Sequence, residues 1–362
     1  MSECTRLPHF AERLRQAGAG AMHAHRVLRL WAQGRATTAG RRRVEDYFPR
    51  TLQLALPEIE GELAALATLH SAHPGADGSE RLLVRLADGQ TVESVLLPRG
   101  GLCISSQVGC AVGCLFCMTG RDGLLRQLGS AEMVAQVALA RTRRAVHKVV
   151  FMGMGEPSHN LDEVLDAIDF LGTTGGIGHK NLVFSTVGDP RAFERLPQGR
   201  VKPALALSLH TTDAQLRRKL LPRAPRLAPD ELVAAADGYA RACGYPVQYQ
   251  WTLLEGINDS DAEIDAVATL LAGRYGVLNL IPFNEGEGLP FRRPAWERAA
   301  HMARTLHRRG ILTKLRHSAG QDVDGGCGQL RARVVDAETE AAQVRPLVRI
   351  ARAVVDCGPS PQ

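Results

Sequence analysis

Three cysteines lie close together at Cys110, Cys114 and Cys117, separated by three and then by two residues. Three thiolates in one short loop can bind three irons of a [4Fe–4S] cube. No fourth cysteine continues the spacing, so the fourth iron would be open to an outside ligand, as a catalytic cluster requires. A structural zinc site is the alternative, but such sites are closed by four protein ligands, and no second pair of Cys or His follows at zinc spacing. The pattern therefore favours an iron–sulfur cluster.

A glycine-rich turn follows the next predicted strand, at residues 152–157. Glycines there let the backbone approach a ligand, and Glu156, which follows Gly155, could accept hydrogen bonds from a ligand ammonium group. Further residues come at the ends of later predicted strands; they are Ser185, Ser208, Leu209, His210 and Asn284. Any one of them alone would be an ordinary loop residue. In successive strand ends they indicate a rim that binds a ligand.

Two further cysteines occupy positions where a thiol could take part in chemistry. Cys103 lies seven residues before Cys110, on the predicted strand that leads to the cysteine loop. Cys327 lies in a glycine-rich segment, residues 324–330, which could form a mobile loop over a binding site. A free cysteine is more often a buried, inert side chain. No role is assigned to the remaining cysteines, Cys4, Cys243 and Cys357.

The elements that must position these residues alternate between strand and helix. Apolar strands are predicted at residues 102–105, 149–152, 181–186, 204–210, 248–254 and 278–283. Helices are predicted at residues 130–140, 161–171, 228–243, 262–272 and 294–309. This alternation indicates parallel βα units, and about six of them indicate an α/β fold built as a partial (βα)6 barrel. Chemistry in such a barrel lies at the carboxyl ends of the strands, where the polar residues are found.

Residues 1–75 are predicted to form a small helical accessory module, with helices at residues 21–33 and 47–66. Three consecutive arginines, Arg41 to Arg43, lie between these helices. They are a candidate contact for phosphate groups, and a solvated loop is an equally good interpretation.

A β-hairpin extension is predicted at residues 80–100, after a turn-rich stretch at residues 73–78. Its signal is the pair Asp88 and Gly89 between two apolar strands. Glu93 lies inside the second strand, and a carboxylate there is expected on the solvent face.

The composition is that of a soluble globular protein, with 45% hydrophobic and 23% charged residues. The 362 residues suffice for a barrel at residues 101–332, the two parts before it and a C-terminal tail at residues 333–362. A net charge of +6 suggests an anionic partner, with nucleic acid the first candidate. No apolar run is long enough for a membrane span, and no signal-peptide core is found, so a cytoplasmic location is predicted. Cysteines in that compartment serve as metal or catalytic groups rather than as structural disulfides.

Four motifs, in this order, resemble the radical S-adenosylmethionine (SAM) RNA adenine methyltransferases of the RlmN/Cfr family. The motifs are CISSQVGC at residues 103–110, GMGEP at 153–157, SLH at 208–210 and CGQL at 327–330. The resemblance runs from about residue 82 to about residue 332. It implies a radical-SAM partial barrel with a [4Fe–4S] cluster and SAM as cofactors, the amino and carboxyl groups of SAM occupying the free iron.

The resemblance also implies a role for each candidate residue. The three clustered cysteines, Cys110, Cys114 and Cys117, would hold the cluster, and the residues that bind SAM would be Gly155, Glu156, Ser185, Ser208, Leu209, His210 and Asn284. Cys327 would carry the methyl group as S-methylcysteine, and a radical made from a second SAM would activate it for addition to the adenine ring. Cys103 would release the product by forming a transient disulfide with Cys327. Glu93 would accept the ring proton, which reverses the solvent-face interpretation.

The implied substrate is adenosine in 23S rRNA, and for some members of the family in tRNA. Methylation at C2 is the first hypothesis, and methylation at C8, which would confer resistance to ribosome-targeting antibiotics, is the second. A radical-SAM enzyme of another reaction class and a zinc-bearing RNA-binding protein are the alternatives. The family pattern is broken at Met118 and at residues 318–322, beside the implied substrate pocket, which leaves the target nucleotide open.

The resemblance implies partners as well. RNA phosphates could be bound by a basic run after the fourth barrel strand, and an exposed basic surface without a partner is an equal alternative. The run consists of Arg217, Arg218, Lys219, Arg223 and Arg226. An external one-electron reductant, such as a flavodoxin-type donor, is also implied. The oligomeric state and the identity of this donor are not predicted.

Overall fold

A ten-stranded sheet organises the computed structural model, which describes residues 3–38, 46–286 and 288–332. Its strands are β1 (Ala67–Pro74), β2 (Glu80–Leu86), β3 (Thr91–Leu97), β4 (Gly101–Ile104), β7 (Lys148–Phe151), β8 (Leu182–Thr186), β9 (Ala204–Ser208), β10 (Val247–Leu253), β11 (Gly276–Pro282) and β12 (Thr313–Leu315). A separate pair consists of β5 (Gln107–Gly109) and β6 (Leu124–Gln127). Arg41 to Arg43, Cys357 and the predicted tail lie outside the described residues.

The described helices are α1 (Leu7–Gln16), α2 (Ala21–Ala32), α3 (Arg50–Ala65), α4 (Ser130–Arg143), α5 (Leu161–Thr173), α6 (Pro190–Arg195), α7 (Ala214–Leu220), α8 (Pro229–Cys243), α9 (Asp261–Leu271) and α10 (Trp296–Arg308). Local signals mark several of their ends. The Glu132 carboxylate accepts a hydrogen bond from the Gly129 backbone N–H at 2.9 Å and closes the start of α4. Gly244, with φ of 79°, ends α8 in the left-handed conformation. None of the described helices is both long and apolar enough to cross a bilayer.

The parallel part of the sheet confirms the predicted partial barrel. From β4 the strand order is β4-β7-β8-β9-β10-β11-β12, and every neighbouring pair in this series is parallel. Helices α4, α5, α8, α9 and α10 come between these strands along the chain, as the βα pattern predicted. β12 is a short last strand that extends the six predicted ones.

Side chains alternate between the two faces of each barrel strand. On β8, Leu182 and Phe184 belong to the main core that packs against the helices, whereas Val183 belongs to a separate small cluster with Ala204 and Ala206 of β9. The second face is the lumen of the partial barrel. Its short side chains leave room for a ligand at the carboxyl ends of the strands.

The predicted second helix, residues 47–66, is confirmed by α3, but the rest of the predicted helical module up to residue 75 is a strand. Residues 67–74 form β1, which pairs antiparallel with β2 from Ala67 opposite Leu86 to Pro74 opposite Glu80. Most of β1 is exposed or half-buried, so it has little of the apolar alternation from which strands are predicted, and its pairing with β2 determines its conformation. Phe10 and Leu52 of the helices share one core with Leu102 of the barrel.

The predicted hairpin is confirmed. β2 and β3 pair antiparallel with Arg85 opposite Thr91, and Gly89 in the turn has φ of 84°. β3 then pairs antiparallel with β4, and Val95 lies opposite Cys103. The hairpin therefore extends the barrel sheet directly and brings residues of β3 beside the strand that leads to the cysteine loop.

Candidate active site

The cysteine loop is closed at its base by the pair β5 and β6. The Cys110 N–H donates to the Gly123 carbonyl at 2.9 Å, across the open end of this pair. Gly109 has φ of 78°, and a Cβ atom at this position would lie 2.0 Å from the Gly123 carbonyl oxygen. Only glycine fits such a close approach of two backbones. The small sheet therefore holds residues 110–123 as one compact loop.

The three thiols of this loop are within electrostatic range of one another. Burial raises the pKa of Cys110 to about 12, with further contributions from Cys117 and Glu156. Burial also raises the pKa of Cys114, with Cys117 and Cys110 adding to the shift, and it raises the pKa of Cys117. Thiolates gathered in this way need positive charge beside them, which the irons of a cluster supply. No three His, Cys, Asp or Glu side chains of the described residues are close enough together to bind a single metal ion, whereas each thiolate on a cube binds a separate iron.

The glycine-rich turn after β7 holds a buried carboxylate. Gly155 has φ of 109°, and a Cβ atom there would lie 2.7 Å from Gln107. Glu156 is 4% exposed and accepts hydrogen bonds from the Ser158 N–H at 3.1 Å, the Ser158 hydroxyl at 2.6 Å and the Val187 N–H at 3.0 Å. Two carboxylate oxygens can accept about four hydrogen bonds, and Glu156 takes part in none of the described ion pairs. Its remaining capacity and its charge fit an ammonium group of a ligand.

Ser185 and Ser208 face the lumen on neighbouring strands. Ser185 lies opposite Ala206 in the parallel pair of β8 and β9, and Ser208 is two residues beyond Ala206 on the same face. Gln250 of β10 lies opposite Ser208. The register therefore brings these polar side chains together at the carboxyl end of the sheet, as the succession of strand ends predicted.

Unlike Ser208, His210 directs its side chain into the protein. Its Nδ1 accepts a hydrogen bond from the Thr252 N–H at 3.0 Å, and its ring lies edge-on to Phe116 with centroids 4.8 Å apart. Burial and, to a smaller extent, the nearby Arg217 lower the pKa of His210 to about 3. Leu209 is fully buried and its N–H donates to the Gln250 carbonyl. The side chains of both residues therefore pack into the protein below the rim.

Arg217 was predicted as a phosphate contact, and its position corrects that prediction. It is 3% exposed, and its Nη2 donates to the carbonyl of Val187 at 2.6 Å and to that of Ser208 at 3.1 Å. Its Nε has no hydrogen-bond partner among the described residues. A sequence signal for this burial existed, because Leu220, three residues later, lies on the same face of α7 and is buried. The other members of the run, Arg218, Lys219, Arg223 and Arg226, are exposed.

The segment around Cys327 lies directly on the cysteine loop. The Met118 N–H donates to the Gly328 carbonyl at 2.7 Å, and the Thr119 hydroxyl donates to the Leu330 carbonyl at 2.6 Å. Asn284 Nδ2 donates to the carbonyl of Cys327 at 2.9 Å. Cys327 itself is exposed. The amide of Asn284 therefore holds the Cys327 segment at the mouth of the barrel.

Glu93, Val95 and Cys103 share one face of the antiparallel strands β3 and β4. Gly325 packs on this face, since a Cβ atom there would lie 3.6 Å from Val95 Cγ1. Burial raises the pKa of the Cys103 thiol, and the neighbouring thiol of Cys327 raises it further. The two sulfurs, far apart in sequence, are thus within electrostatic range.

The expectation from the residues alone that Glu93 faces solvent is wrong, because this carboxylate is 1% exposed. It forms an ion pair with Arg81 of β2 and accepts a hydrogen bond from the Arg331 N–H at 2.8 Å. The solvent-face rule failed because residues near the end of the described chain cover this face of the hairpin, and the local sequence of β3 carries no sign of that cover.

A parallel partial barrel with a three-cysteine loop and a buried acidic turn at the carboxyl ends of its strands defines a radical-SAM enzyme. The model of the radical SAM superfamily matches residues 104–267. The crystal structure of a radical SAM methyltransferase from Sphaerobacter thermophilus is similar, with a TM-score of 0.78 and 34% identity, over 92% of this chain and 100% of that chain.

Two relatives are similar over almost their whole length. A protein of Thiobacillus denitrificans described as a probable RNA methyltransferase is 69% identical over 342 residues, which are 94% of either chain. A protein of Pseudomonas aeruginosa with the same description is 66% identical over 331 residues, 91% of this chain and 96% of the relative. The chain belongs to the radical-SAM RNA methyltransferases of the RlmN/Cfr type. Its cofactors are a [4Fe–4S] cluster and SAM.

Proposed function

We propose that this SAM-dependent RNA methyltransferase methylates C2 of adenosine in 23S rRNA, with tRNA as a further candidate substrate, through an S-methylcysteine at Cys327. The observation that carries the proposal is the position of Cys327. Its segment is hydrogen-bonded to the cysteine loop through Gly328 and Leu330, and its thiol is within electrostatic range of Cys103. A methyl carrier must lie between the cofactors, the substrate and the thiol that releases the product, and these contacts of Cys327 support that role.

We assign the cluster to Cys110, Cys114 and Cys117. For SAM, we assign the amino group, whose N–H groups can donate, to Glu156 and the close backbone approach to Gly155, while Ser185, Ser208 and Asn284 supply polar groups around the lumen. In this proposal Leu209 and His210 shape the site through their backbone, since their side chains are buried. We add Arg217, whose unpartnered Nε and buried charge suit the SAM carboxylate.

With cluster and SAM bound, the site has a source of a carbon radical that can remove a hydrogen atom from a methyl group. The chain supplies the other parts of the reaction. The Cys327 thiolate displaces a methyl group from SAM and holds it as a thioether. This route is needed because C2 and C8 of adenine are electron-poor carbons that do not attack a SAM methyl group directly.

Product release depends on Glu93 and Cys103. After the one-carbon unit of Cys327 has bonded to the ring, the adduct holds one unpaired electron. The oxidised cluster would serve as the acceptor for that electron, and Glu93 accepts the proton from the substituted carbon, which restores the aromatic ring. The Cys103 thiolate then attacks the Cys327 sulfur, and the bond from that sulfur to carbon breaks. The electron pair stays on carbon, which takes up a proton and becomes the methyl group. The resulting disulfide must be reopened by a thiol reductant before the next turnover.

The deciding experiment is mass spectrometry of nucleosides from RNA treated with the reconstituted enzyme, SAM and a flavodoxin-type reductant, the electron donor that we propose. We expect 2-methyladenosine from 23S rRNA. 8-Methyladenosine would instead assign the C8 activity, because the same two cysteines support either carbon. Cleavage of SAM with unmodified RNA would overturn the proposal in favour of another radical-SAM reaction. RNA substrates of this kind also place the enzyme, in our proposal, in the cytoplasm.

A further inference from the structure

Trp296 and His317 form an exposed pair of stacked rings beside the candidate active site. Their centroids are 4.3 Å apart, and the ring planes differ by 21°. Trp296 begins α10 and is 44% exposed, while His317 follows β12 and is also exposed. Folding ordinarily covers a large aromatic ring. A tryptophan that is oriented by a partner ring and still open to solvent therefore has apolar surface left for a ligand.

The pair is connected to the Cys327 segment through two hydrogen bonds. Ser318, the residue after His317, accepts a hydrogen bond from Asn284 Nδ2 at 2.7 Å. The same nitrogen donates to the Cys327 carbonyl at 2.9 Å. The residue that follows His317 and the backbone of Cys327 are therefore held by the same side chain, Asn284.

The exposed charges around the rings are mainly positive. Arg292, Arg293 and Arg316 are exposed within four residues of one ring or the other, and Glu297 is the acidic residue in the same stretch. Arg293 also holds the segment in place, since its Nε donates to the Phe283 carbonyl at 2.7 Å. An aromatic surface bordered by cations is complementary to single-stranded RNA, whose bases stack while its phosphates contact arginine.

We propose that Trp296 and His317 are a stacking platform for an unpaired base next to the adenosine that is methylated. The inference rests on the proposed function. The target adenine must leave its stack to reach Cys327, and its neighbour then loses a stacking partner that the platform replaces. Arg292 and Arg316 contact the flanking phosphates. A continuous duplex offers no free base, so the platform selects a loop or a single strand.

The test compares binding of a labelled RNA hairpin that has an adenosine-containing loop with binding of a fully paired duplex, by fluorescence anisotropy at one salt concentration. We expect Trp296→Ala to weaken hairpin binding by about tenfold or more, because stacking on an aromatic ring contributes strongly for each base. Trp296→Phe, which keeps an aromatic ring, should lose no more than about threefold. Duplex affinity should not change in either variant. Tyr275→Ala is the matched control, because Tyr275 is 40% exposed but precedes the amino end of β11 and so lies away from the site.

Tryptophan emission gives a second readout. Trp251 is fully buried and Trp31 half-buried, so RNA that stacks on the platform should quench mainly Trp296. We expect the hairpin to quench the wild type and Tyr275→Ala but not Trp296→Phe. The platform proposal would be overturned if Trp296→Ala bound the hairpin at wild-type affinity, or if it lost affinity equally for hairpin and duplex. Methylation by the wild type would uphold the proposed function in either case. A wild type that forms no methyladenosine would instead refute the function itself.

Discussion

Arg217→Gln is the substitution that tests the proposed SAM site most directly. The guanidinium of Arg217 is 3% exposed, takes part in none of the described ion pairs and has an Nε without a partner among the described residues. A buried charge in this condition is costly unless a ligand supplies the opposite charge. The carboxylate of SAM is the group with that charge in our proposal. Loss of the guanidinium should therefore weaken SAM binding.

The size of the loss can be bounded. A hydrogen bond to a charged group contributes about 1.5–3 kcal/mol, which corresponds to an increase in Kd of about 10- to 150-fold. The Coulomb energy of two unit charges 4 Å apart at an effective dielectric constant of 20 is about 4 kcal/mol and gives an upper bound. Arg217→Lys keeps the charge but loses the planar set of donors. We expect its loss to lie below that of the glutamine variant.

The assay is equilibrium dialysis of the reconstituted enzyme under oxygen-free conditions with two ligands, SAM and decarboxylated SAM. The second ligand lacks the carboxylate, so the glutamine variant and the wild type should bind it equally. Arg217 also joins the ends of β8 and β9 through the carbonyls of Val187 and Ser208. If the role of Arg217 were purely structural, its loss would weaken the binding of both ligands by the same factor, and that result would refute our reasoning. Unchanged SAM affinity together with an altered cluster potential would assign the guanidinium to the cluster instead.

Three further predictions concern separate parts of the site. Cys103→Ala should still form S-methylcysteine at Cys327 but trap a protein–RNA crosslink, visible on denaturing gels as a band that ribonuclease removes; turnover at the wild-type rate would rule out Cys103 as the resolving thiol. Gly109→Ala places a Cβ atom 2.0 Å from the Gly123 carbonyl oxygen, so this variant should bind far fewer than the four irons of one cube. The control Gly123→Ala is also at positive φ but has nothing within 4 Å of the new Cβ, so it should keep its iron. Equal iron contents in the two variants would contradict the prediction. The pKa of His210 is lowered to about 3 in the folded protein, whereas an unfolded histidine titrates near pH 6.5. Between these pH values the unfolded state therefore binds one proton more than the folded state. The wild type should lose up to about 1.4 kcal/mol of unfolding free energy per pH unit as the pH falls below 6.5. His210→Asn keeps an acceptor and tolerates the φ of 64°, so its denaturant midpoint should fall less between pH 6.5 and 5; parallel curves for the two proteins would refute this account.

The sequence predicted what depends on local pattern. The parallel strands, the helices between them and the Asp88-Gly89 hairpin follow from periodicity and turn chemistry, and the structure confirms them. The cysteine spacing and the family motifs predicted the cofactors correctly. β1 was missed because its exposed side chains carry no alternating apolar signal, and it is ordered by hydrogen bonds to β2, which no local window contains.

The charged residues show where local reasoning ends. Arg217 and Arg218 are adjacent in one basic run, yet the first is buried against the carbonyls of Val187 and Ser208 and the second is exposed, since the helix turns about 100° per residue. Glu93 is buried because Arg81 and the backbone of Arg331 cover it, and the second of these comes from the far end of the described chain. In both cases the residue type suggests the chemistry but the surrounding packing decides where the charge lies. Buried charges that lack a full set of partners are therefore where a structure adds most to a sequence-based prediction of function, and the unpartnered Nε of Arg217 is the example that this chain provides.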